Sequence, residues 1–597
     1  MDDKKINEIP YGISDYERIV EKNYYYVDKT PYLHSLEKTG EYLFLIRPRR
    51  FGKSLFLSLM QTYYDIIKAD RFDLFFKGTA VHQNPTNEKN SCLMLKFNFS
   101  MVSPDIDMVE ESFLGHVLEA GDIFISEYKQ FLNIDEKETL EELKRKNTAP
   151  DILRHLIHLC KKSNQKLFIT IDEYDNFTNT ILSSLGTHHY KNLTHGESFF
   201  RTFFNVLKGG TSGSGAPISR LFITGVSPIT MDDVTSGFNI GNNITTDRIF
   251  NEMQGFTSDE MIEMIEYYRE HGQIKHPTSY LMEIMDQWYN RYRFSKKSQA
   301  TVFNPDMALY FLKEYFKEYE IPEEMVDENV RMDYGKLRHL IIIDSGDKPT
   351  PNGNFNQLRR ITEEGEITAK LIRSFPAEKL THIENFISLL FYFGLLTMEG
   401  EEKGKIKFKI PNETVKRLYF EYIKEGYEEI GIFTLDFFKY SELMTDMAYD
   451  GKWHPLFDYL TIEMKERMGL RDLITGEKSI QAFLAVYLGL GDLYLIHTEK
   501  ELGKGYADIV LEPFLARYKD IRYSYILELK YIKPKEFNPQ KLEKLKTAAV
   551  DQLKKYSLDK DFRKNIEKTT LIKLLLIFSG HKLVHIEALD SRPRAAK

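Results

Sequence analysis

One stretch of the chain constrains its local fold more than any other, because it joins a strand pattern, a glycine-lysine-serine turn and a helix pattern. Residues 42–46, YLFLI, form a short apolar run typical of a buried strand. After residues 47–54, RPRRFGKS, apolar side chains recur at helical spacing as far as residue 66. Strand, loop and helix in this order are the context that a phosphate-binding loop requires. We therefore predict that this stretch begins a nucleotide-binding sheet.

The loop ends like a phosphate-binding loop but begins differently. The usual pattern is G-x-x-x-x-G-K-[ST], and Arg47 stands where the first glycine is usual. Main-chain N–H groups near Gly52 would face the phosphates, Lys53 would reach the terminal phosphates, and Ser54 would bind Mg²⁺. Arg47 would change the shape of the loop, and an exposed basic turn is the alternative for this segment alone. The residues predicted to contact nucleotide are Pro48, Arg49, Arg50, Phe51, Gly52, Lys53, Ser54 and Leu55.

A second strand pattern ends in two acids. Residues 166–177, KLFITIDEYDNF, run from apolar and β-prone residues into Asp172 and Glu173. Acids at the carboxyl end of a buried parallel strand are typical of nucleotide-binding sheets. Asp172 would hold Mg²⁺ through water, and Glu173 would polarise the attacking water. A strand that ends in a solvated acidic turn is the alternative.

The rest of the first half alternates between strand and helix patterns. Residues 93–100 and 220–228 read as two more strands, and residues 150–162 and 196–209 read as helices. This alternation predicts a parallel α/β sheet. Thr224 or Ser227, at the end of the last strand pattern, could sense a γ-phosphate.

The order of these and later motifs resembles the bacterial AAA-ATPase-like family, whose members usually carry a PD-(D/E)XK nuclease domain at the C-terminus. In that family R-P-R-R-F-G-K-S is the normal form of the loop. One departure is Arg291, where the resemblance implies glycine. The motifs that carry the resemblance are YGISDYERIVEKNYYYVDKTPYL, FLIRPRRFGKSLFLSLMQTYY, ITIDEYDN, FITGVSPI, FNIGNN, GFTSDEM, WYNRYRF, VFNPDMALYFL and IPNETVKRLYF.

The C-terminal third holds a second set of chemical groups on two strand patterns. Asp508 lies in the first, residues 505–514, and Glu528 and Lys530 lie in the second, residues 523–533. Residues at i and i+2 of a strand point to the same face. Two carboxylates from neighbouring strands can bind Mg²⁺ and activate a water, while a lysine stabilises charge on a phosphate. The carbonyl of Leu529 is a further candidate metal ligand.

The E-x-K pattern carries no weight by itself. It also occurs at residues 142–144 and 463–465, within charged helical patterns. The apolar context of Glu528 and the acid-bearing strand before it distinguish the copy at residues 528–530. A surface ion pair on an edge strand is the alternative, although SYILELKYI is too apolar for a freely exposed edge.

The resemblance implies supporting positions around this set. PD-(D/E)XK proteins begin with an acid-bearing helix, and Glu477 is the acid offered here. Many continue with a Q-x-x-x-Y helix, which implies a catalytic role for Gln552 and a position for Tyr556 one turn later. Glu499 and Glu501, expected to precede the first strand, are candidates to assist metal binding. Residues 571–580 are expected to form the final strand.

The region between these domains reads mostly as amphipathic helix. We predict a P-loop ATPase domain over residues 1–255, a helical lid with a winged-helix-like region over 256–425, and a restriction-endonuclease-like α/β domain over 426–597. Residues 404–412 read as part of a small hairpin. His188, His189 and His195 cluster in residues 186–197, but no acid or cysteine stands at ligand spacing, so a solvated loop is predicted rather than a zinc site.

Composition limits the class of protein. A chain of 597 residues, 42% hydrophobic and 28% charged, predicts two to four globular domains. The first residues lack the apolar core of a signal peptide, no apolar run reaches bilayer length, and the two cysteines give no disulfide framework. We therefore expect a cytoplasmic protein without a membrane partner.

The net charge of −8 gives no general reason to expect nucleic-acid binding, so a local basic surface is required. The stretch from 530 to 568 is rich in lysine, which suits phosphate contact, although a solvated lysine-rich helix explains it equally well. Its lysines include Lys533, Lys535, Lys541, Lys544, Lys546, Lys554 and Lys555.

These features lead to one functional hypothesis and one alternative. The first is an ATP-dependent nuclease that requires Mg²⁺, or Mn²⁺ at the nuclease site, and cleaves DNA in preference to RNA. The resemblance implies a setting in bacterial defence or mobile-element control. The alternative is a nucleotide-driven switch or assembly ATPase whose nuclease fold binds nucleic acid without cutting. A homo-oligomer is left open, with Arg220 and Arg248 as candidate arginines supplied to a neighbouring subunit.

Overall fold

The computed structural model describes residues 6–213, 215–230, 241–335, 353–380, 382–429, 435–466, 476–502, 505–556 and 566–589. The chain divides into two compact units. The first unit holds residues 1–320, 325–339 and 368–412, and the second holds residues 321–324, 340–367 and 413–597. The predicted domain boundaries at residues 255 and 425 stay predictions.

The first unit is built on a five-stranded sheet whose neighbouring strands all run parallel. Its spatial order is β2-β3-β4-β1-β5, so β4 lies between the strand that precedes the glycine-rich loop and the strand that ends in acids. The predicted parallel α/β sheet is therefore confirmed. The strands are β1 (Tyr42–Ile46), β2 (Leu93–Asn98), β3 (Leu167–Asp172), β4 (Ile218–Gly225) and β5 (Asn242–Asn243).

Helices pack around the sheet and form most of the predicted middle region, residues 256–425, as expected. Among the described residues, the α-helices of the first unit are Tyr16–Glu21, Pro31–Thr39, Lys53–Tyr64, Phe72–Phe76, Ala80–Gln83, Val109–Leu132, Glu136–Lys144, Ala149–Lys162, Asn176–Thr194, Phe199–Gly210, Ser258–Glu270, Thr278–Tyr289, Pro305–Glu318, Glu328–Gly335 and Ile383–Tyr392. Short 3₁₀ turns lie at Ile66–Arg71, Phe99–Met101, Arg248–Phe250 and Ala377–Lys379.

A cluster of phenylalanine rings fixes the helix that follows the acidic strand end. Phe177, in the first turn of the helix Asn176–Thr194, lies 5.0 Å from Phe200 and 6.2 Å from Phe113, measured between ring centroids. Phe99, just after β2, lies 5.1 Å from Phe113. Such aromatic pairs add about 0.5–1.5 kcal/mol each beyond the area they bury. The acidic end of β3 is thereby held against the helices on either side of it in sequence.

The helix Asn176–Thr194 corrects one prediction. It contains His188 and His189 and ends just before His195, so the expectation of a solvated loop there is wrong. Buried Ile181, Leu182, Tyr190 and Leu193 supply the apolar side of this helix, which the intervening polar residues hide in the sequence. Within the described part of the chain, no group of three or more His, Cys, Asp or Glu residues could hold a metal ion.

A small hairpin follows the helix Ile383–Tyr392, as residues 404–412 predicted. β7 (Thr397–Glu402) pairs antiparallel with β8 (Lys405–Lys409), and β6 (Glu366–Ala369) precedes them in the chain.

Arg291, which stands where the family resemblance implies glycine, has a φ of 74°, in the left-handed region that favours glycine. Its guanidinium contacts Asp286 at 3.0 Å, which helps to offset the strain.

The second unit is built on a mixed five-stranded sheet of order β13-β12-β11-β10-β9. β11 pairs parallel with β12, and the other neighbours pair antiparallel. The strands are β9 (Tyr494–Leu502), β10 (Gly505–Pro513), β11 (Tyr523–Ile532), β12 (Thr570–Ser579) and β13 (Lys582–Leu589). The helices in the described part of this unit are Gly353–Glu364, Glu413–Glu429, Phe437–Asp450, His454–Glu466, Glu477–Leu488 and Pro539–Tyr556, with a 3₁₀ turn at Pro534–Glu536.

Two expectations about this sheet are wrong. Glu499 and Glu501 lie inside a strand, β9, rather than before the first strand, because Ala507 and Tyr506 of β10 pair with that segment. Residues 571–580 do not form the final strand, since a tight turn at Gly580 returns the chain as β13. Among the helices of the described ranges, none combines the length and apolar character needed to cross a bilayer.

Candidate functional site

The glycine-lysine-serine turn of the first unit has the geometry of a helix N-terminus that can receive an anion. Gly52 is the N-cap of the helix Lys53–Tyr64 and has a φ of 81°, and a Cβ there would meet nothing within 4 Å. Glycine is therefore needed for its backbone conformation and not for space. The Nζ of Lys53 donates to the carbonyls of Arg47 (3.1 Å) and Pro48 (3.0 Å), bonds that a phosphate oxygen could replace.

Arg47 stabilises this loop through hydrogen bonds from its buried side chain. Its side chain is fully buried, and its guanidinium donates to the carbonyls of Ile46 (3.1 Å), Thr245 (2.6 Å) and Phe250 (2.8 Å). The guanidinium carbon also lies 4.2 Å from the ring centroid of Phe294. Burial lowers the pKa of Arg47 to about 9. The residue that replaces the usual glycine therefore joins the loop to the segment that follows β5.

The serine of the turn and the acid at the end of β3 come together, as the magnesium-binding hypothesis requires. Burial raises the pKa of the Asp172 carboxyl, and the Ser54 side chain lies close enough to offset part of that rise. Glu173 follows with a φ of 49° and donates its main-chain N–H to Asp172 Oδ1 at 3.0 Å. Asn176 donates its side-chain amide to Glu173 Oε2 at 2.6 Å, which orients that carboxylate.

Asp175 is a structural acid that the sequence interpretation missed. Its buried carboxylate accepts hydrogen bonds from the main-chain N–H groups of Val226 (3.2 Å) and Ser227 (2.5 Å), and from the Asn179 amide (2.8 Å). It thus joins the ends of β3 and β4. A Cβ on Gly225 would lie 2.4 Å from Asp175 Oδ1, so that glycine is required. The signal that could have found Asp175 is its position three residues after Asp172, in ITIDEYDN.

The two candidate γ-phosphate sensors and the two candidate arginines for a neighbouring subunit lie in different settings. Thr224 and Ser227 are fully buried, and the Thr224 hydroxyl donates to the Leu45 carbonyl at 2.9 Å. Arg220 lies in the first half of β4, away from the carboxyl end of the sheet, and contacts the Tyr64 ring at 5.9 Å. Arg248 is exposed on its 3₁₀ turn.

A cavity of about 470 Å³ opens beside the turn. Residues Gly52, Lys53, Ser54 and Glu173 line one part of it. Other parts of the wall come from the loop residues Arg49 and Arg50, from the N-terminal segment and from the residues after β5, among them Ile13, Val27, Lys29, Met253, Phe256, Asp306 and Leu309. A cavity of this size with both apolar and charged walls has the character of a small-molecule site.

The second unit brings together the four residues predicted as its chemical centre. Because Ile509 pairs with Leu527, Asp508 on β10 and Glu528 on β11 are cross-strand neighbours. The Nζ of Lys530 lies 2.7 Å from Glu528 Oε1, 2.9 Å from the Leu529 carbonyl oxygen and 4.0 Å from Asp508 Oδ2. The edge-strand alternative is wrong, since β11 is the third of five strands.

The electrostatics of these residues favour a cation. Burial and the charge of Glu528 raise the pKa of Asp508 to about 7, and burial raises the pKa of Glu528. Burial opposes the charge of Lys530, but the Glu528 carboxylate outweighs it and raises the lysine pKa. Two buried carboxylates in contact are costly unless a positive charge compensates them.

The residues present fit a divalent metal. The Glu528 carboxylate is buried, and its Oε2 has no hydrogen-bond partner within the described residues. The Tyr556 phenol lies near enough to affect the pKa of Glu528, but its hydroxyl donates to the Tyr506 carbonyl at 2.6 Å. Carboxylate and carbonyl oxygens are the ligands that Mg²⁺ prefers. Asp508, Glu528 and the Leu529 carbonyl could therefore hold one such ion.

A glutamine that the sequence interpretation missed supports this centre. Gln481 donates its side-chain amide to the main-chain oxygen of Asp508 (2.6 Å) and to Glu499 Oε1 (2.9 Å). Glu499 also accepts from Lys478 at 2.5 Å, and Lys478 follows Glu477 at the start of the helix Glu477–Leu488. The signal that could have found Gln481 is its position one helical turn after Glu477.

Of the remaining predicted residues, Glu477 lies close enough to raise the pKa values of Asp508 and Glu528. Gln552 is exposed on the helix Pro539–Tyr556, whereas Tyr556, one turn later, is buried and faces the carboxylates. The catalytic role of Gln552 stays a prediction.

Two family models match the regions that hold these sites. Residues 10–235 match a family described as a predicted AAA-ATPase, and residues 475–588 match the PD-(D/E)XK nuclease superfamily. The chain therefore combines an N-terminal AAA-ATPase-like domain with a C-terminal PD-(D/E)XK nuclease superfamily domain. The resemblance drawn from the sequence is confirmed in both parts.

A curated protein of Azotobacter chroococcum mcd 1 is also similar to the chain. It is described as an uncharacterized protein in the vnfD 5' region, and the two are 27% identical over 318 residues. The match covers 52% of this chain and 53% of that protein, so the chain spans about half the length of the relative it matches.

Proposed function

We propose that the protein is an ATP-dependent nuclease that requires Mg²⁺ and cleaves DNA phosphodiester bonds. One observation carries the proposal: Asp508, Glu528 and Lys530 meet on two central strands, and one buried oxygen of Glu528 has no hydrogen-bond partner among the described residues. The turn proposed to bind phosphate places Ser54 close enough to Asp172 to affect the pKa of that carboxyl, which supports the proposed ATP site.

At the nuclease site, Asp508, Glu528 and the Leu529 carbonyl would hold Mg²⁺ or Mn²⁺. A metal bound there supplies Lewis-acid polarisation of the phosphodiester and lowers the pKa of a bound water. Lys530 would leave its contact with Glu528 to stabilise the charge that develops on the phosphate. Gln481 would hold the main chain at Asp508 in position, and Glu477 would add negative charge beside the carboxylates.

At the ATPase site, main-chain N–H groups after Gly52 and the ammonium of Lys53 would bind the phosphates of ATP. Ser54 and Asp172 would hold Mg²⁺, directly and through water. Glu173, oriented by Asn176, would polarise the water that attacks the γ-phosphate. Burial lowers the pKa of Lys53 against the pull of the nearby acids, so a bound phosphate would favour its charged form.

Exposed lysines after β11 support contact with the backbone of a nucleic acid. Lys533, Lys535 and Lys544 are exposed, whereas Lys541 and Lys546 form ion pairs with Glu536 and Glu587. Contact with phosphates needs such charges and no reading of bases. We favour DNA over RNA, in the cytoplasm, and a setting in bacterial defence or mobile-element control, which rests on the family resemblance.

The test is cleavage of plasmid and linear DNA with Mg²⁺ or Mn²⁺, with and without ATP. Wild type would be compared with Lys53→Ala, Lys530→Ala and Lys144→Ala, a matched control in an exposed E-x-K. We expect cleavage to be lost in Lys530→Ala, altered in Lys53→Ala and unchanged in Lys144→Ala. If no DNA were cut under any condition while ATP was hydrolysed, a nucleotide-driven switch that binds nucleic acid would replace this proposal.

A further inference from the structure

The pairing of β9 with β10 is distorted beside Asp508. The register passes from Ala507 directly to Ile509, skipping Asp508, which lies opposite Glu499. Glu499 has a φ of 52°, in the left-handed region that residues other than glycine seldom adopt. Such strain persists where surrounding contacts hold it, and it clusters at functional sites. The contacts of the Glu499 side chain should therefore account for this conformation.

The Glu499 carboxylate orients the amide of Gln481. The Nε2 group of Gln481 donates to Glu499 Oε1 at 2.9 Å and to the main-chain oxygen of Asp508 at 2.6 Å. An ionised carboxylate accepts hydrogen bonds and cannot donate them, whereas the amide nitrogen carries two donor hydrogens and the amide oxygen none. Because Gln481 is buried, its donors cannot turn to water instead. Glu499 thereby fixes which end of the Gln481 amide faces Asp508.

Glu499 is an ionised acceptor with one buried partner and one exposed partner. Burial would raise its pKa, but hydrogen bonds from Lys478 and Gln481 outweigh burial and lower it. The Lys478 side chain lies 2.5 Å from Glu499 Oε1 but is 56% exposed. Solvent screens such exposed ion pairs, so they contribute little. Gln481 is therefore the partner through which Glu499 can affect the nuclease centre.

Asp508 is held by hydrogen bonds at both its main chain and its side chain. The pairing of β10 with β11 runs from Ile509 to Leu511 and stops short of Asp508. At Asp508, the Gln481 amide binds the main-chain oxygen, and the Leu529 N–H donates to Oδ2 at 2.7 Å. The place of this carboxylate thus depends on side-chain hydrogen bonds where the two strands separate.

We propose that Glu499 is a positioning residue of the nuclease centre, which acts through Gln481 and is not itself a metal ligand. This inference rests on the proposed metal site of Asp508 and Glu528. By setting the orientation of the Gln481 amide, Glu499 holds Asp508 where its carboxylate can share a cation with that of Glu528. Residues that orient metal ligands in this way typically contribute about ten- to hundredfold to metal affinity.

The first test measures Ca²⁺ binding to the full chain by calorimetry in Glu499→Gln and Glu499→Leu. Both variants lose the same negative charge, but glutamine keeps an oxygen that accepts from Gln481. We expect Glu499→Leu to bind Ca²⁺ about tenfold more weakly than wild type, and Glu499→Gln to keep most of the affinity. Glu501→Leu is the matched control and should bind like wild type, because Glu501 is exposed on the same strand.

A double variant tests whether Glu499 acts through Gln481. Gln481→Leu alone should weaken Ca²⁺ binding, and adding Glu499→Leu to it should weaken binding no more than adding Glu501→Leu does. A further loss of about tenfold in the double variant would overturn the positioning role and indicate direct binding of the metal by Glu499. Equal losses in Glu499→Gln and Glu499→Leu would also overturn it. If Glu499→Leu failed to fold by circular dichroism, a loss in Glu499→Gln equal to that in Gln481→Leu would do so.

Hydrogen exchange of the Leu529 amide, measured by mass spectrometry without metal, separates this inference from the proposed function. The amide should exchange faster in Glu499→Leu and Gln481→Leu than in wild type, Glu499→Gln or Glu501→Leu, because its acceptor on Asp508 is held less firmly. If wild type bound no Ca²⁺ but this pattern held, the metal site would fail while the positioning of Asp508 stood. Unchanged exchange in both leucine variants would overturn the positioning role even if wild type bound Ca²⁺.

Discussion

Replacing Arg47 tests whether the unusual first residue of the loop holds the loop in place. Arg47→Met keeps an unbranched apolar chain but removes the guanidinium, leaving the carbonyls of Ile46, Thr245 and Phe250 without their donor. Hydrogen bonds from a charged group contribute about 1.5–3 kcal/mol each. The contact with Phe294 adds about 1–2 kcal/mol.

Burial of the charge opposes these gains. The pKa of Arg47 falls from 12.5 to about 9 because the guanidinium is desolvated. At about 1.4 kcal/mol for each tenfold change, this burial costs about 5 kcal/mol. Arg47→Met loses the hydrogen bonds and the ring contact but also escapes this burial cost. The difference is a net loss of about 3 kcal/mol in the free energy of unfolding.

The assay can follow the first unit alone. The chain has two tryptophans, Trp288 in the first unit and Trp453 in the second. In a Trp453→Phe background, the fluorescence of buried Trp288 during urea unfolding reports on the unit that holds Arg47. Arg154→Met is the matched control, because the Arg154 side chain is 56% exposed and its surface ion pair is worth little.

A loss below about 1 kcal/mol in Arg47→Met, or one equal to that of the control, would refute this reasoning. Arg47→Gly sharpens the test, since it restores the usual phosphate-loop pattern. If the hydrogen bonds of the Arg47 side chain hold the loop in place, Arg47→Gly binds ADP more weakly than wild type despite its better match to the pattern.

Three further changes have defined outcomes. Glu512→Gln should destabilise the second unit by about 3 kcal/mol at pH 7, because His497 and Lys500 outweigh the effect of burial and lower the pKa of this partly buried carboxyl to about 2. That difference should shrink as pH falls from about 4.5 toward 2, and a pH-independent difference in urea unfolding would contradict it. Gly255→Ala should lower the free energy of unfolding by about 2 kcal/mol or more, because Gly255 has a φ of 102° and an added Cβ would lie 2.7 Å from Val302 Cγ2. Gly209→Ala, where an added Cβ meets nothing within 4 Å, should not lower it, and thermal unfolding of both variants measures the difference. Lys530→Met should bind Ca²⁺ in calorimetry at least as tightly as wild type, since it removes an ammonium from Glu528, and weaker binding would count against the metal site.

Short sequence patterns correctly predicted the parts of the fold that depend on residues close together in the chain. The apolar run at residues 42–46 coincides with β1, and the acids Asp172 and Glu173 stand at the end of β3 as expected. The pairing of Asp508 with Glu528 could be predicted because two strand patterns lie close in the chain and their side chains alternate faces. In each of these cases the deciding residues are neighbours in sequence or lie on consecutive strand patterns.

The rest depends on contacts between distant parts of the chain. Arg47 was expected only to alter the loop, because its partners Thr245 and Phe250 lie about two hundred residues away. The helix around His188 was missed because its buried side chains alternate with polar ones that suggested a loop.

The position of β11 in its sheet has a consequence for how the nuclease centre can be lost. β11 pairs with β12 from Tyr523 to Ile532 and with β10 from Tyr525 to Leu527. The main-chain amide hydrogens bonded within these pairings should therefore exchange with solvent only when the sheet opens. The spacing of Glu528 and Lys530 then persists for as long as the second unit is folded, so unfolding of the sheet and loss of the site are one event.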